Sequence, residues 1–260
     1  MVRGLNIFKK YFEEYLDNYL IIGGAARDLI IENAGFEPKG TKDIDVILVV
    51  EALTAAFVEQ FWQFVKDGNY EHQGKSSGTK QYYRFYNPAN QDFPFMVELF
   101  SRKPDEVLLT EPAHLTPIPV ESDLSSLSAI LLSDDYYNYI LAHSSMEDAI
   151  HFAKIESLIC LKAKAFNDMN IRKAQGESVD SKKIQKHKND IFRLAVMLTP
   201  AHIFELPPSI RTDLQDFASV VAEDLPGKDV FKAWGMGNIA PENVFNQILK
   251  SFQLDKKIES

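Results

Sequence analysis

The chain has 260 residues, of which 45% are hydrophobic and 25% are charged, a composition typical of a globular protein with a sizeable buried core. Its formal net charge of −9 at pH 7 indicates a surface that repels a phosphate backbone, so any contact with nucleic acid has to be local. The single cysteine, Cys160, excludes a disulfide framework and a thiolate metal cluster within one chain.

The N-terminal segment mixes charged and aromatic residues where a signal peptide needs an uninterrupted apolar core. No later segment approaches the roughly 20 apolar residues that a membrane span requires. We therefore expect a cytoplasmic protein that makes no contact with a membrane.

The spacing of apolar residues predicts alternating helices and strands over the first hundred residues. In chain order, we expect a helix over residues 5–16, a strand over 19–22, a helix over 25–33, a strand over 43–50, a helix over 53–65 and strands over 81–86 and 95–100. This order predicts an α/β or α+β sheet domain. Prolines and serines then interrupt regular structure over residues 104–128, and past about residue 151 the pattern becomes helical. We expect a sheet domain over residues 1–150 and a helical domain over residues 151–260 that closes the cleft.

Two carboxylates lie at the beginning of the predicted strand 43–50. Because side chains alternate between the faces of a strand, Asp43 and Asp45 project to the same side. Their repulsion is relieved most simply by a hard divalent cation, since Mg²⁺ takes one or two carboxylates and completes its shell with water and substrate phosphates. The pattern therefore predicts a Mg²⁺ site, although Asp-x-Asp alone is a common sequence.

Glu98 is a third carboxylate, on the predicted strand 95–100, where alternation places it between apolar side chains. An acidic group in such surroundings needs a partner. Two interpretations stay open: Glu98 is a metal ligand beside Asp43 and Asp45, or it forms a salt bridge with an inward basic residue such as Arg84.

Gly23-Gly24 lies between a predicted strand and a predicted helix. Without side chains there, a phosphate can approach the backbone N–H groups at the positive end of the helix. Arg27, about one turn into the helix, can add a charge-assisted contact. The alternative is a tight turn followed by a surface ion pair between Arg27 and Asp28 or Glu32.

The order of a strand, Gly23-Gly24, a helix, and a second strand that opens with Asp43 and Asp45 resembles the nucleotidyltransferase superfamily. That superfamily includes DNA polymerase β-like enzymes, tRNA CCA-adding enzymes and the nucleotidyltransferase toxins of abortive-infection type IV toxin–antitoxin systems. The resemblance implies an α+β fold with a mixed sheet flanked by helices, a Gly-Gly turn that contacts a triphosphate, and two Mg²⁺ ions held by the Asp pair and Glu98. The chain lacks the Arg-Arg-Asp motif of CCA-adding enzymes, so CCA addition is not expected.

The helical half is similar to that of the abortive-infection toxins in its segments 161–165 and 186–194. In those proteins a lysine and an aspartate on such helices complete the active site. The resemblance implies that Lys162 binds triphosphate and that Asp190 orients or deprotonates the acceptor hydroxyl. Two alternatives stay open: the Lys162 stem packs while its ammonium group reaches water, and Asp190 pairs with Arg193 at the surface.

The segment from Lys162 to Lys188 contains eight basic and three acidic residues. It is therefore basic in a chain that is acidic as a whole. This segment either guides an RNA acceptor or is a solvated helix face without a ligand. We hypothesise an enzyme that transfers a nucleoside monophosphate from a nucleoside triphosphate to a hydroxyl of RNA, such as tRNA, or of protein. The toxin resemblance adds an antitoxin protein as a partner. The alternative is a catalytically silent nucleotide-binding or partner-binding module on the same fold.

Overall fold

The computed structural model describes residues 2–72, 83–101 and 133–254. The chain divides into two compact units, Met1–Lys154 and Ile155–Ser260. The predicted irregular segment 104–128 and the first two residues of the strand predicted over 81–86 lie outside the described residues.

The first unit is built on a seven-stranded sheet. Its strands are β1 Tyr19–Ile22, β2 Asp43–Leu48, β3 Glu71–His72, β4 Tyr83–Tyr86, β5 Met96–Ser101, β6 Ser144–Glu147 and β7 Ile150–Ala153. They lie in the order β3-β4-β5-β2-β1-β7-β6. Strand β2 pairs antiparallel with β1 and parallel with β5, so the sheet is mixed. Strand β1 has the predicted bounds, β2 begins at the predicted residue and ends two residues early, and β5 is displaced by one residue from its prediction.

Helices flank this sheet, and the α+β class is confirmed. Those described in the first unit are α1 Leu5–Phe12, α2 Gly23–Asn33, α3 Ala55–Gly68 and α4 Asp134–Ala142. Helices α1 and α3 meet in an aromatic cluster in which the Phe12 ring lies 5.7 Å from Phe57, 6.1 Å from Phe61 and 5.4 Å from Phe64. Large apolar rings that lose most of their exposure supply much of the burial that holds such layers together.

The hairpin formed by β6 and β7 was not predicted, and the expected domain boundary at residue 150 falls inside it. Strand β6 is polar and half exposed, so it shows no hydrophobic alternation, whereas β7 is four buried residues next to β1. The connecting residues Asp148 and Ala149 both have positive φ, 49° and 55°. Hairpin turns of that kind usually carry Asn-Gly or Asp-Gly, so the customary sequence signal is missing here.

The second unit is mainly helical among its described residues, which confirms the helical C-terminal half. Its helices are α5 Ile155–Ala174, α6 Ser181–Ala195, α7 Pro208–Ala222, α8 Lys228–Ala233 and α9 Pro241–Ser251. Helix α5 packs against both α6 and α7, and its buried residues include Leu158, Ile159 and Phe166. In the parts of the chain that the structure describes, no helix has the length and apolar character needed to cross a membrane.

A buried histidine joins β7 to the segment that precedes β1. His151 is 6% exposed; its Nδ1 lies 2.8 Å from the carbonyl oxygen of Leu16 and its Nε2 lies 2.8 Å from Oγ of Ser144. Because a carbonyl oxygen only accepts, Nδ1 carries a proton. Burial lowers the pKa of His151, and the Leu16 carbonyl opposes that shift only in part. The lowered pKa favours the neutral form of this imidazole in the folded protein.

A histidine whose folded pKa lies below its unfolded value stabilises the protein above the unfolded pKa, near 6.5, and that stability is lost as pH falls below it. We expect the free energy of unfolding to fall between pH 7 and pH 5 more steeply in wild type than in His151→Gln, by at most about 1.4 kcal/mol per pH unit. Urea titrations at several pH values measure the two slopes. Equal slopes would show that His151 does not stay neutral in the folded chain.

Candidate functional site

Two of the predicted acidic residues, Asp45 and Glu98, lie in one row that crosses the centre of the sheet. Ile22 on β1 is in register with Asp45 on β2, Asp45 with Glu98 on β5, and Glu98 with Arg84 on β4. Residues in register on neighbouring strands share a face of the sheet and lie close enough for their side chains to interact. The pairing therefore places two carboxylates and a guanidinium group side by side.

Asp43 adds a third carboxylate near the beginning of β2. Asp43 and Asp45 are both half-buried, whereas Ile44 and Val46 between and after them are buried. This alternation puts the two aspartates on one face of the strand and the apolar residues on the other. The sequence prediction of their shared side agrees with this pattern.

Glu98 forms the salt bridge that the sequence analysis left as an alternative. The Nε atom of Arg84 donates to Oε1 of Glu98 at 2.6 Å. Burial, and then the negative charge of Asp45, raise the pKa of the Glu98 carboxyl to about 7 against the opposing charge of Arg84. One guanidinium group thus does not fully offset the two neighbouring acids.

The Gly-Gly turn lies directly against this acidic row. Gly23 has φ of +65°, and a Cβ atom at this position would lie 1.9 Å from Oδ2 of Asp45. A Cβ atom on Gly24 would lie 3.2 Å from Oγ1 of Thr41. Both glycines begin α2, where the first backbone N–H groups have no partner within the helix. Such N–H groups bind anions, phosphate included.

Arg27 is engaged in a buried ion pair. Its Nε and Nη2 atoms donate to Oδ1 of Asp28 at 2.9 and 2.7 Å, and the two residues are 3% and 0% exposed. The alternative interpretation named the correct partner but wrongly placed the pair at the surface. The same Asp28 accepts the backbone N–H of Thr41 through Oδ2 at 3.0 Å.

The segment that leads into β2 is held from several sides. Besides the bond to Asp28, the carbonyl oxygen of Thr41 accepts the backbone N–H of Arg3 at 3.2 Å, and that of Lys42 accepts the N–H of Phe95 at 2.8 Å. These bonds fix the backbone immediately before Asp43. Sequence reasoning missed Asp28 and Thr41 as positioning residues, because a helix aspartate beside an arginine gives no sign of a partner 13 residues away.

In the second unit, Lys162 and Asp190 form an ion pair. Nζ of Lys162 donates to Oδ2 of Asp190 at 2.9 Å, and the residues are 9% and 3% exposed. The alternatives of a lysine that reaches water and a surface aspartate are therefore wrong. Burial, and then the positive charge of Lys162, lower the pKa of the nearby His187 to about 3.

The carboxylates of the first unit fit Mg²⁺, although one of them is already bound to an arginine. No group of three or more His, Cys, Asp or Glu side chains among the described residues is gathered as a preformed metal cluster, and Glu98 is turned to Arg84. Mg²⁺ needs only one or two protein carboxylates, because water and substrate phosphates supply its other ligands. The in-register pair of Asp45 and Glu98, with Asp43 on the same face, supplies oxygens of that kind.

Comparisons with known proteins give little further guidance. No protein-family model and no curated protein matches the chain. Among solved structures, the chain is similar to the crystal structure of an antigenic nucleotidyltransferase-like protein from Paracoccidioides brasiliensis, with 17% sequence identity and a TM-score of 0.45. The match covers 90% of this chain and 93% of the other. A likeness at that level does not extend to an activity.

The close approach of Gly23 to Asp45 can be tested with a matched glycine. Gly23→Ala should lower the free energy of unfolding by about 2 kcal/mol more than Gly35→Ala, because the new methyl group collides with a carboxylate. Gly35 also has positive φ, +80°, but has nothing within 4 Å of an added Cβ. It therefore reports the backbone strain alone, about 1 kcal/mol. Chemical denaturation of both variants measures the difference.

Proposed function

We propose that this protein is a metal-dependent nucleotidyltransferase, which transfers a nucleoside monophosphate from a nucleoside triphosphate to a hydroxyl acceptor. The observation that carries the proposal is the close contact of the Gly23 backbone with Asp45, which itself lies in register with Glu98. A phosphate-binding helix end and a carboxylate row are thereby adjacent. If the Gly23-Gly24 turn and the Glu98–Arg84 salt bridge served only the fold, they would not need to lie next to each other.

In the proposed reaction, an acceptor hydroxyl oxygen forms a bond to the α-phosphorus of the nucleotide. The bond from that phosphorus to the oxygen bridging to the β-phosphorus breaks, and pyrophosphate leaves with the electron pair. Glu98 helps to take up the proton of the hydroxyl, a role that a positioned carboxylate can fill. The amides of Gly23 and Gly24 bind the triphosphate at the positive end of α2.

We assign Asp43, Asp45 and Glu98 as the residues that hold two Mg²⁺ ions. When bound, such ions activate the attacking hydroxyl and offset the charge on the leaving oxygens. Arg27 supports the site through Asp28, whose other oxygen fixes Thr41. This is a positioning role rather than the phosphate contact first expected.

Two residues of the second unit, and the nature of the acceptor, complete the proposed reaction. We assign Lys162 to the triphosphate and Asp190 to the acceptor hydroxyl. An RNA such as tRNA, or a protein, is the proposed acceptor, and the exposed Lys182 and Lys186 on α6 provide positive charge for an RNA. A toxin role with an antitoxin partner rests on the sequence resemblance alone.

Replacing Asp45 by Asn should abolish transfer and leave the fold intact, because the amide is nearly isosteric with the carboxylate but has no charge. Purified wild type and Asp45→Asn are incubated with each α-labelled nucleoside triphosphate, Mg²⁺ and a mixture of cellular RNA and protein. Label transferred by wild type alone supports the proposal and shows the class of acceptor. Equal transfer by the variant would exclude Asp45 from catalysis.

Two other outcomes separate the alternatives. Stoichiometric binding of triphosphate without transfer by wild type supports the catalytically silent module. Failure to bind any triphosphate in the presence of Mg²⁺ would contradict the proposal and favour a protein whose acids are structural.

The buried Lys162–Asp190 pair offers a test that separates structure from activity. Lys162→Met or Asp190→Asn alone should cost about 3–5 kcal/mol of stability, because each leaves one buried charge without its counter-charge. The double variant Lys162→Met/Asp190→Leu should recover much of that loss. If the pair acts in catalysis, the double variant remains inactive at temperatures where it is folded. Recovery of transfer together with stability would make the pair structural.

A further inference from the structure

Arg84 lies on the strand next to the proposed metal ligand Glu98 and binds its carboxylate. It lies on β4 in register with Glu98, and its Nε donates to Oε1 of Glu98 at 2.6 Å. The Arg84 side chain is 24% exposed, whereas the Glu98 side chain is 10% exposed. The guanidinium group is thus more accessible to water than the carboxylate to which it donates.

The negative charge that Arg84 offsets is the one proposed to bind metal. Glu98 stands beside Asp45 through the β2–β5 register, and two like charges so placed repel each other in a partly desolvated site. In the metal-free protein, the guanidinium group of Arg84 offsets this repulsion in part, beside a hydrogen bond between the side chains of Glu98 and Asp45. A divalent cation on the same carboxylates would meet both a competitor for Glu98 and a repelling positive charge.

We infer that Arg84 is a built-in counter-charge that holds Glu98 while the metal is absent and competes with the metal for that carboxylate. This inference rests on the proposed function, since it concerns the same site. Arg84 is a positioning residue in this scheme. It keeps the metal-free row intact and sets the concentration of divalent cation at which the site fills.

The consequence is that removal of Arg84 has opposite effects on two measurable quantities. The metal-free protein loses a charge-assisted hydrogen bond and becomes less stable. The metal-bound protein loses a competitor and a repulsion, so its affinity for the cation increases. A role confined to stabilising the sheet would produce the first effect without the second.

Mn²⁺ is a suitable probe because electron paramagnetic resonance measures the concentration of the free ion directly. Arg84→Gln should bind Mn²⁺ about tenfold more tightly than wild type, as expected for the loss of one positive charge beside the ion. Its Tm without metal should be lower, and its rise in Tm on adding Mn²⁺ should be larger. Arg84→Lys, which keeps the charge but not the guanidinium geometry, should fall between the two and serves if Arg84→Gln does not fold.

Two controls locate the effect. Lys10→Gln removes one positive charge from the exposed side of α1 and should leave Mn²⁺ affinity at the wild-type value. In a Glu98→Gln background, Arg84→Gln should raise the affinity by much less than tenfold, because the carboxylate for which metal and arginine compete is gone and only the repulsion between Arg84 and the cation remains. Persistence of the tenfold effect in that background would overturn the inference.

Failure of the inference is distinguishable from failure of the proposed function. If Arg84→Gln binds Mn²⁺ as Lys10→Gln does, while Asp45→Asn binds it much more weakly, the competition is wrong and the metal site stands. If wild type binds no Mn²⁺ even with a non-hydrolysable nucleoside triphosphate, the metal site itself is wrong and the inference falls with it.

Discussion

The contact between the Gly23 backbone and the carboxylate of Asp45 is the constraint on which the candidate site depends. It requires β1 to end where it does, because the antiparallel register pairs Ile22, the last residue of β1, with Asp45. It also requires glycine, since a Cβ atom would overlap Oδ2 of Asp45 and the backbone has positive φ. Once these conditions hold, the beginning of α2 and the beginning of β2 meet at one place.

Hydrogen bonds to the backbone of Thr41 hold the chain in place where α2 and β2 begin. Asp28 reaches from α2 to the Thr41 N–H, and the backbone N–H of Arg3 reaches the Thr41 carbonyl oxygen. Neither bond touches the acidic row, yet both fix the chain two residues before Asp43. Sites that bind charged ligands gain from such prior ordering, because the ligand then does not have to organise its own binding groups.

The sequence predicted those features of the fold and site that depend on short-range patterns. Alternation in strand β2 gave the shared face of Asp43 and Asp45, and helical spacing gave the mainly helical second half. Pairings between distant segments were harder to predict: Arg84 was one of two alternatives for Glu98, and nothing indicated the pairing of Asp28 with Thr41 or of Lys162 with Asp190. The alternatives were a metal site for Glu98, a solvated ammonium group for Lys162 and a surface position for Asp190, and burial decides between such alternatives only after the chain has folded.

Three ion pairs with little exposure bear on whether these residues were selected for stability alone. Removing two opposite charges from water costs free energy that their attraction often fails to recover, so well-packed apolar residues usually serve stability at least as well. The pairs Arg27–Asp28 and Lys162–Asp190 are buried on both sides, and the pair Arg84–Glu98 is partly so. Two of the three include a carboxylate predicted from sequence to take part in the chemistry, and the third holds the backbone beside it. We propose instead that, within the first unit, the charges beside the Gly-Gly turn serve a site that binds a cation and a polyanion.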